Sequence, residues 1–161
     1  MYGIIATWRM ALEGISKADS MLKNNESAAD SIEEEIKAVE DFEYYKSVGY
    51  GGLPNEEMEV ELDAAFMDGD TLEFGCVGGV KDFANPVSIA RSLMHYDANN
   101  FLIGQGAEKY ASRQGFERKT MLTDRAKIHY HNRTKEITNT ELKPYSGHDT
   151  VGMVCLDTAG H

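Results

Sequence analysis

A polar tripeptide meets an apolar run in the segment Gly147-His-Asp-Thr-Val-Gly-Met-Val-Cys-Leu156. Residues 151–156 combine β-branched and other apolar side chains over a length that is typical of a buried strand. Asp157-Thr-Ala-Gly160 then has the composition of a turn, and the chain ends where a hairpin partner would begin. The pattern predicts a terminal strand without a neighbour and, because such an edge is costly, an unfinished domain.

Upstream of this run, strand patterns alternate with amphipathic helix patterns. Strands are predicted for four further apolar or alternating segments, residues 2–7, 60–67, 71–77 and 101–103. Helices are predicted where apolar residues recur every three or four positions, around residues 11–22, 27–39, 87–94, 107–114 and 123–135. We therefore expect one mixed helix-and-sheet domain over residues 1–161.

Local signals mark the ends of several of these elements. Ser27 can accept hydrogen bonds from the amides of the first turn of its helix. Asp68-Gly69 is a turn signal between two strands and predicts a hairpin. Glycine and proline are frequent in residues 48–55, which are expected to form a loop with closely packed backbone. Gly78-Gly79 and Asn85-Pro86 are expected to separate the hairpin from the next helix.

The side-chain charge is strongly negative. The chain of 161 residues contains 27 acidic and 16 basic side chains, a formal net charge of −11 at pH 7. Such a surface repels phosphate backbones and anionic lipid headgroups, so neither nucleic acid nor a membrane is expected as a partner. No stretch reaches the ~20 continuous apolar residues of a membrane span, and the first residues lack a basic segment followed by an apolar signal core. We expect a soluble cytoplasmic protein, with a secreted form that has lost its leader as the alternative.

Three groups of side chains resemble sites, and each has a simpler structural interpretation. Cys76 and Cys155 lie in apolar runs and are predicted to be buried free thiols, with a bridge or a reactive site as the alternative. Glu33-Glu34-Glu35 is predicted to be a solvated helix face rather than a cation site. His129 and His131 diverge on a helix and have no further ligands nearby, so no zinc is expected. We expect no bound metal, and no cofactor either, since no complete glycine fingerprint follows a strand.

Five ordered segments carry a family resemblance. They are Thr7-Trp8, Ser47-Val-Gly-Tyr-Gly-Gly-Leu-Pro54, Leu62-Asp-Ala-Ala-Phe-Met-Asp-Gly69, Asn85-Pro-Val-Ser-Ile-Ala-Arg91 and Gly147-His-Asp-Thr-Val-Gly-Met153. Together they run nearly the whole length of the chain. They resemble the glycosylasparaginases, which are N-terminal nucleophile hydrolases of the asparaginase type 2 family.

The resemblance implies a four-layer αββα sandwich, of which this chain supplies the N-terminal half. It also implies that the protein cuts its own backbone between Asp149 and Thr150, which makes residues 150–161 the start of a β subunit. The implied partners are the remaining β-subunit chain, a small-molecule amide substrate and further α/β units in a homo-oligomer. Trp8 matches the tryptophan that lines the family's substrate pocket, whereas Met10 stands where some members carry an aromatic residue.

Thr150 has the side chain that this chemistry needs. A hydroxyl is a poor nucleophile until a base takes its proton, and an α-amine with an ordinary pKa of about 8 is such a base near neutral pH. Scission before Thr150 creates that amine on the same residue. The hydroxyl can first attack the Asp149 carbonyl in an N-to-O acyl shift, aided by the Asp149 carboxylate and backbone strain. We predict Thr150 as the catalytic nucleophile and His148, Asp149 and Thr150 as the autoproteolysis site.

Two further interpretations stay open beside cleavage of the side-chain amide of glycosylasparagine to give aspartate. L-asparaginases and isoaspartyl peptidases of the same superfamily differ in the leaving group, which is ammonia or a peptide amine. A non-catalytic remnant that binds another chain through the edge at residues 151–156 belongs to a different class. With an intact bond before Thr150, the chain alone is expected to be inactive.

Overall fold

Helices and strands alternate along the described part of the chain. The computed structural model describes the backbone of residues 1–139 and 150–161, and the side chains of residues 1–135 and 150–161. The strands are β1 (Gly3–Ala6), β2 (Leu62–Met67), β3 (Phe74–Val80), β4 (Phe101–Ile103) and β5 (Met153–Leu156). The helices are α1 (Leu12–Lys23), α2 (Ala28–Glu40), α3 (Pro86–Leu93), α4 (Gly104–Arg113) and α5 (Asp124–Asn139), and a 3-10 helix spans Arg9–Ala11. The mixed helix-and-sheet class predicted from the sequence is confirmed.

The strands form two sheets. β1 pairs antiparallel with β5, with Gly3 opposite Leu156 and Ala6 opposite Met153. β3 lies in the centre of the second sheet, antiparallel to β2 and parallel to β4. α3 provides the crossover that a parallel pair requires. The prediction that β5 has no neighbour was wrong, because β1, from the opposite end of the chain, pairs with it.

The hairpin predicted around Asp68 is confirmed, with different ends. The Asp68 carboxylate accepts two backbone N–H groups of the turn at 2.9 Å. β3 continues to Val80 through Gly78 and Gly79, where the sequence predicts a break. The Gly79 N–H donates to the Asp63 carboxylate at 2.8 Å, beside a register shift in the β2–β3 pair. The Asp63 side chain of β2 thus accepts a hydrogen bond from the β3 backbone at the irregular end of the β2–β3 pair.

The core lies between the second sheet and the helices that pack on it. Its fully buried side chains come mainly from the end of β3, the segment after it and α3, and include Val80, Phe83, Ile89 and Leu93. Gly75 allows α3 to approach β3 closely, because a Cβ atom at this position would lie 1.9 Å from the Ala90 carbonyl oxygen. The contact between α3 and β3 therefore depends on a missing side chain.

Gly75→Ala should destabilise the fold by about 3 kcal/mol, since the new methyl group would overlap backbone that moves only if α3 moves. Gly69→Ala is the matched control, because a Cβ atom at Gly69 meets nothing within 4 Å. The urea midpoints of both variants measure the effect. Equal midpoints for the two variants would contradict the packing described here.

The end of β5 is tied to the start of α2. Ser27 caps α2 as predicted, since its Oγ accepts the Asp30 N–H at 3.1 Å. The buried Asp157, which follows β5, accepts the Ala28 N–H at 3.1 Å. A carboxylate at the positive end of a helix is favourable, so this bond fixes β5 relative to α2.

Two side-chain predictions need correction. Cys76 and Cys155 are free, as expected, but both are partly exposed instead of buried. Cys76 lies on the face of β3 opposite the residues that pack on α3, and Cys155 lies in a two-stranded sheet. The acidic run was predicted to be a solvated face, which is wrong for the fully buried Glu35. Successive helix positions are rotated by about 100°, so three in a row cannot all lie on one face.

Large apolar side chains remain exposed on both sheets. Ile5 and Val154 are register partners and therefore share a face, where they are 75% and 71% exposed. Ile103 on β4 is 66% exposed. Exposed apolar patches on folded proteins mark contact surfaces. Within the part of the chain that the structure describes, no helix has both the length and the apolar character of a membrane span.

Candidate active site

The pairing of β1 with β5 brings Thr7 and Thr150 together. The Thr7 N–H donates to the Gly152 carbonyl at 2.8 Å, and the Gly152 N–H donates to Thr7 Oγ1 at 2.8 Å. The Thr7 hydroxyl also lies 3.4 Å from the Thr150 carbonyl oxygen. Hydrogen bonds on both sides of Val151 therefore hold the backbone after Thr150 against the segment that contains Trp8.

Thr150 lines an open cavity of about 530 Å³. The end of α2, the loop of residues 47–49, β2, the start of α3 and residues 150–153 form its wall. The wall combines the apolar Ile32 and Ile36 of α2 with the acidic residues Glu40, Glu61 and Asp63. A concave site that combines apolar side chains with polar groups can hold a small molecule.

Glu40 is the buried ionisable residue of this wall. Only 3% of Glu40 is exposed. Its carboxyl oxygens accept the Val87 N–H at 3.3 Å and the Asn85 side-chain amide at 3.4 Å. Burial raises the pKa of Glu40 to about 8 against the effect of these hydrogen bonds, and the neighbouring Asp41 and Glu33 act in the same direction as burial. At neutral pH this carboxyl group is therefore mainly protonated.

Trp8 has a strained backbone. Its φ of 65° and ψ of 157° fall in a region that is almost reserved for glycine and costs about 1–3 kcal/mol for other residues. Its carbonyl oxygen accepts the Ala11 N–H at 3.2 Å, which starts the 3-10 helix. Trp8 is 46% exposed, at the same end of the β1–β5 pair as Thr150. Among the residues that the structure describes, those that line the Thr150 cavity do not include Trp8.

Comparison with known proteins assigns the family. A family model described as asparaginase matches residues 6–161. The chain belongs to the asparaginase family. The resemblance inferred from the five sequence segments is thereby confirmed.

Three relatives illustrate how asparaginase-family proteins resemble this chain. An N(4)-(β-N-acetylglucosaminyl)-L-asparaginase of Elizabethkingia miricola is 32% identical over 98% of this chain and 46% of its own length. An isoaspartyl peptidase/L-asparaginase of Rattus norvegicus is 35% identical over 92% of this chain and 46% of its own length. A plant-type L-asparaginase of Thermococcus kodakarensis is 36% identical over 75% of this chain and 35% of its own length. The chain thus spans about half the length of the first two relatives.

The remaining residues singled out in this asparaginase-family sequence differ in their surroundings. His148 and Asp149 lie outside the described residues. His129 and His131 lie on α5, where side chains two positions apart diverge. Burial and the nearby Lys46 and Arg125 lower the pKa of His129. Among the described residues, His129 and His131 do not line the Thr150 cavity.

Sequence reasoning missed the roles of Thr7 and Glu40. Glu40 follows Ile32 and Ile36 at four-residue spacing, so it continues the apolar stripe of α2 and was detectable as a carboxyl group on the buried face. The contacts of Thr7 depend on the pairing of the first strand with the last, and no local sequence pattern predicts that pairing.

Proposed function

We propose that this chain is the N-terminal part of a threonine-nucleophile amidohydrolase that cuts itself between Asp149 and Thr150. One observation carries the proposal: Thr150 stands three positions before β5, lines an open cavity and is hydrogen-bonded through its backbone carbonyl to Thr7, next to Trp8. After the cut, the nucleophilic hydroxyl and the base belong to the same residue of the cavity wall.

The self-cleavage proceeds through an ester. Thr150 Oγ1 attacks the carbonyl carbon of Asp149, the C–N bond breaks, and the hydroxyl proton passes to the departing nitrogen. This step frees the α-amine of Thr150, and water then hydrolyses the ester, which leaves a carboxylate on Asp149 and frees the hydroxyl. The amine, with an ordinary pKa of about 8, is the base for the second reaction.

The second reaction opens an amide. The α-amine takes the proton of Thr150 Oγ1 while the oxygen attacks the side-chain amide carbon of an asparagine derivative. The leaving amine departs with that proton, and water releases aspartate from the acyl-enzyme. Glycosylamine, ammonia and a peptide amine are all possible leaving groups in this scheme, and the names of the three relatives cover all of them. Donors for the oxyanion come, in this proposal, from the second half of the protein.

We infer that the β subunit covers the exposed apolar sheet faces and completes the four-layer αββα sandwich. The exposure of Ile5, Val154 and Ile103 supports this inference. The chain also matches only 46% of the length of the Elizabethkingia relative. Assembly of α/β units into a homo-oligomer and a cytoplasmic location stay predictions.

A non-catalytic assembly partner is the second candidate function. The apolar face around Ile5 and Val154 favours it, because that face suits another protein chain whether or not Thr150 reacts. The two candidates differ in what happens to the bond before Thr150.

The mass of the intact protein, expressed from its complete open reading frame, separates the two candidates. The proposal predicts two fragments that meet between Asp149 and Thr150, and turnover of at least one of three substrates: glycosylasparagine, asparagine and an isoaspartyl dipeptide. An uncut chain that turns over none of them would favour the assembly partner.

Thr7→Val should slow the self-cleavage about tenfold, because it removes the hydroxyl that accepts the Gly152 N–H at 2.8 Å and lets the backbone after Thr150 shift. Thr7→Ser keeps the hydroxyl and is the matched control. The fraction of uncut precursor is followed over time on denaturing gels. If the valine variant is cut as fast as the serine variant, Thr7 does not position Thr150.

A further inference from the structure

The backbone of Glu40 holds one wall of the Thr150 cavity. Glu40 is the last residue of α2, and its carbonyl oxygen accepts the Tyr50 N–H at 2.7 Å. Gly49 packs directly on the same carbonyl group, since a Cβ atom there would lie 2.0 Å from the Glu40 oxygen and the φ of Gly49 is +59°. The loop of residues 47–49, which lines the cavity, is therefore fixed to the end of α2.

The side chain of Glu40 holds a second wall. Asn85 stands at the start of α3 with a left-handed φ of 50°, and its side chain does not cap that helix. Pro86 has no N–H to satisfy. The Glu40 carboxyl group instead accepts the Val87 N–H at 3.3 Å, and it accepts the Asn85 side-chain amide at 3.4 Å. Pro86 and Val87 line the cavity together with Glu40 itself.

Three parts of the wall thus meet at one buried residue. We propose that Glu40 is a positioning residue of the Thr150 site: its carboxyl group holds the start of α3 in the reactive arrangement, next to the loop of residues 47–49 that its backbone carbonyl holds. The inference rests on the proposed function, because Thr150 is the reactive group that the wall serves. It assigns to Glu40 no contact with the substrate.

The surroundings of Glu40 disfavour its charged form. Among the described residues, the ionisable groups that act on Glu40 or share its cavity are all acidic. Glu33 lies on α2 and Asp41 directly after it, and Glu61 and Asp63 lie at the start of β2. From α3, Asn85 is neutral, and the guanidinium of Arg91 bonds Glu33 and Asp30. Among the described residues, no cation is among the groups that shift the pKa of Glu40. Burial raises the pKa of Glu40 to about 8. Above that pH the Glu40 side chain carries an uncompensated negative charge next to the loop of residues 47–49 and the start of α3.

The pH profile of Glu40→Gln tests the inference in the protein expressed from the complete open reading frame. Glutamine imitates the neutral carboxyl group and cannot ionise. The wild-type rate of self-cleavage should fall above about pH 8, and this fall should be absent in Glu40→Gln. Glu40→Ala should be cut about tenfold more slowly than wild type at neutral pH, and Glu40→Gln should rescue most of that loss.

Glu35→Gln is the matched control, because Glu35 is a buried glutamate of the same helix that does not line the cavity. It should retain the wild-type alkaline fall. If Glu40→Gln also retains that fall, or if Glu40→Ala is cut at the wild-type rate, Glu40 is not a positioning residue.

Failure of the proposed function has a different signature. A protein in which Thr150→Ala is cut as fast as wild type has no threonine-dependent cleavage, and the role of Glu40 then falls with it. If Thr150→Ala blocks the cut while the Glu40→Gln profile matches wild type, only the inference about Glu40 is overturned.

Discussion

Thr150→Ala leaves the precursor uncut and lowers amide hydrolysis about 10⁴-fold or more, the usual order for loss of a nucleophile. The alanine side chain lacks the oxygen that attacks the Asp149 carbonyl, so the ester cannot form. Because the backbone bond then stays intact, the α-amine base is missing as well. Removal of the Thr150 hydroxyl oxygen thus abolishes both the self-cleavage and the amide hydrolysis.

Thr150→Ser is the matched control, since it keeps the hydroxyl and removes only a methyl group. Its precursor should be cut, more slowly than wild type but completely on prolonged incubation. The intact mass and the rate of aspartate release measure both variants. An alanine variant that is cut, or an uncut variant with the wild-type rate, would show that another group is the nucleophile.

Glu35→Gln stabilises the protein by about 3 kcal/mol at alkaline pH and has little effect in acid. Glu35 is fully buried against Gly14 of α1, where a Cβ atom would lie 2.8 Å from the Glu35 carbonyl oxygen. Among the described residues, neither oxygen of its carboxyl group has a hydrogen-bond partner. Burial alone raises the pKa of Glu35 from 4.5 to about 7. One pKa unit corresponds to about 1.4 kcal/mol, so this rise corresponds to about 3 kcal/mol.

The direction of this pH dependence follows from which protonation state of Glu35 the folded protein favours. The folded protein favours neutral Glu35, so the stabilisation is fully present below pH 4.5, is lost as the pH rises, and is gone above about 7. Glutamine is neutral at every pH and escapes this loss. Urea unfolding of both proteins at acid and alkaline pH measures the difference in the free energy of unfolding.

Glu34→Gln is the matched control for Glu35→Gln. Hydrogen bonds from Lys17 and then Lys37 hold the pKa of Glu34 below its usual value. The charged form of Glu34 therefore stabilises the fold above the usual pKa of a glutamate, and the glutamine variant should be less stable than wild type at neutral pH. If Glu35→Gln changes stability equally in acid and in alkali, Glu35 does not titrate as described.

Local chemistry determined which predictions from the sequence hold. Ser27 caps α2 and Asp68 closes the hairpin, because each bond joins residues two or three positions apart. α4 begins at Gly104, three positions before the predicted start at Ala107, because a φ of 50° lets glycine turn directly from β4 into the helix. That conformation is invisible to a search for apolar periodicity.

Long-range contacts account for most of what the sequence did not reveal. The pairing of β1 with β5 joins the two ends of the chain, and the contact between Thr7 and Gly152 depends on it. Glu40 gains its role only when α3 folds over the end of α2 and offers it the Val87 N–H. Thr150, in contrast, was predicted from an ordered set of segments, and the structure puts it in the wall of a cavity.

The most direct test is to trap the acyl-enzyme. The protein expressed from the complete open reading frame is mixed with substrate, quenched in acid at short times and analysed by mass spectrometry. We expect the fragment that begins at Thr150 to gain the mass of one aspartyl group, with Thr150 Oγ1 as the modified oxygen. An aspartyl group on any other residue, or full turnover by a chain that is still intact before Thr150, would contradict it.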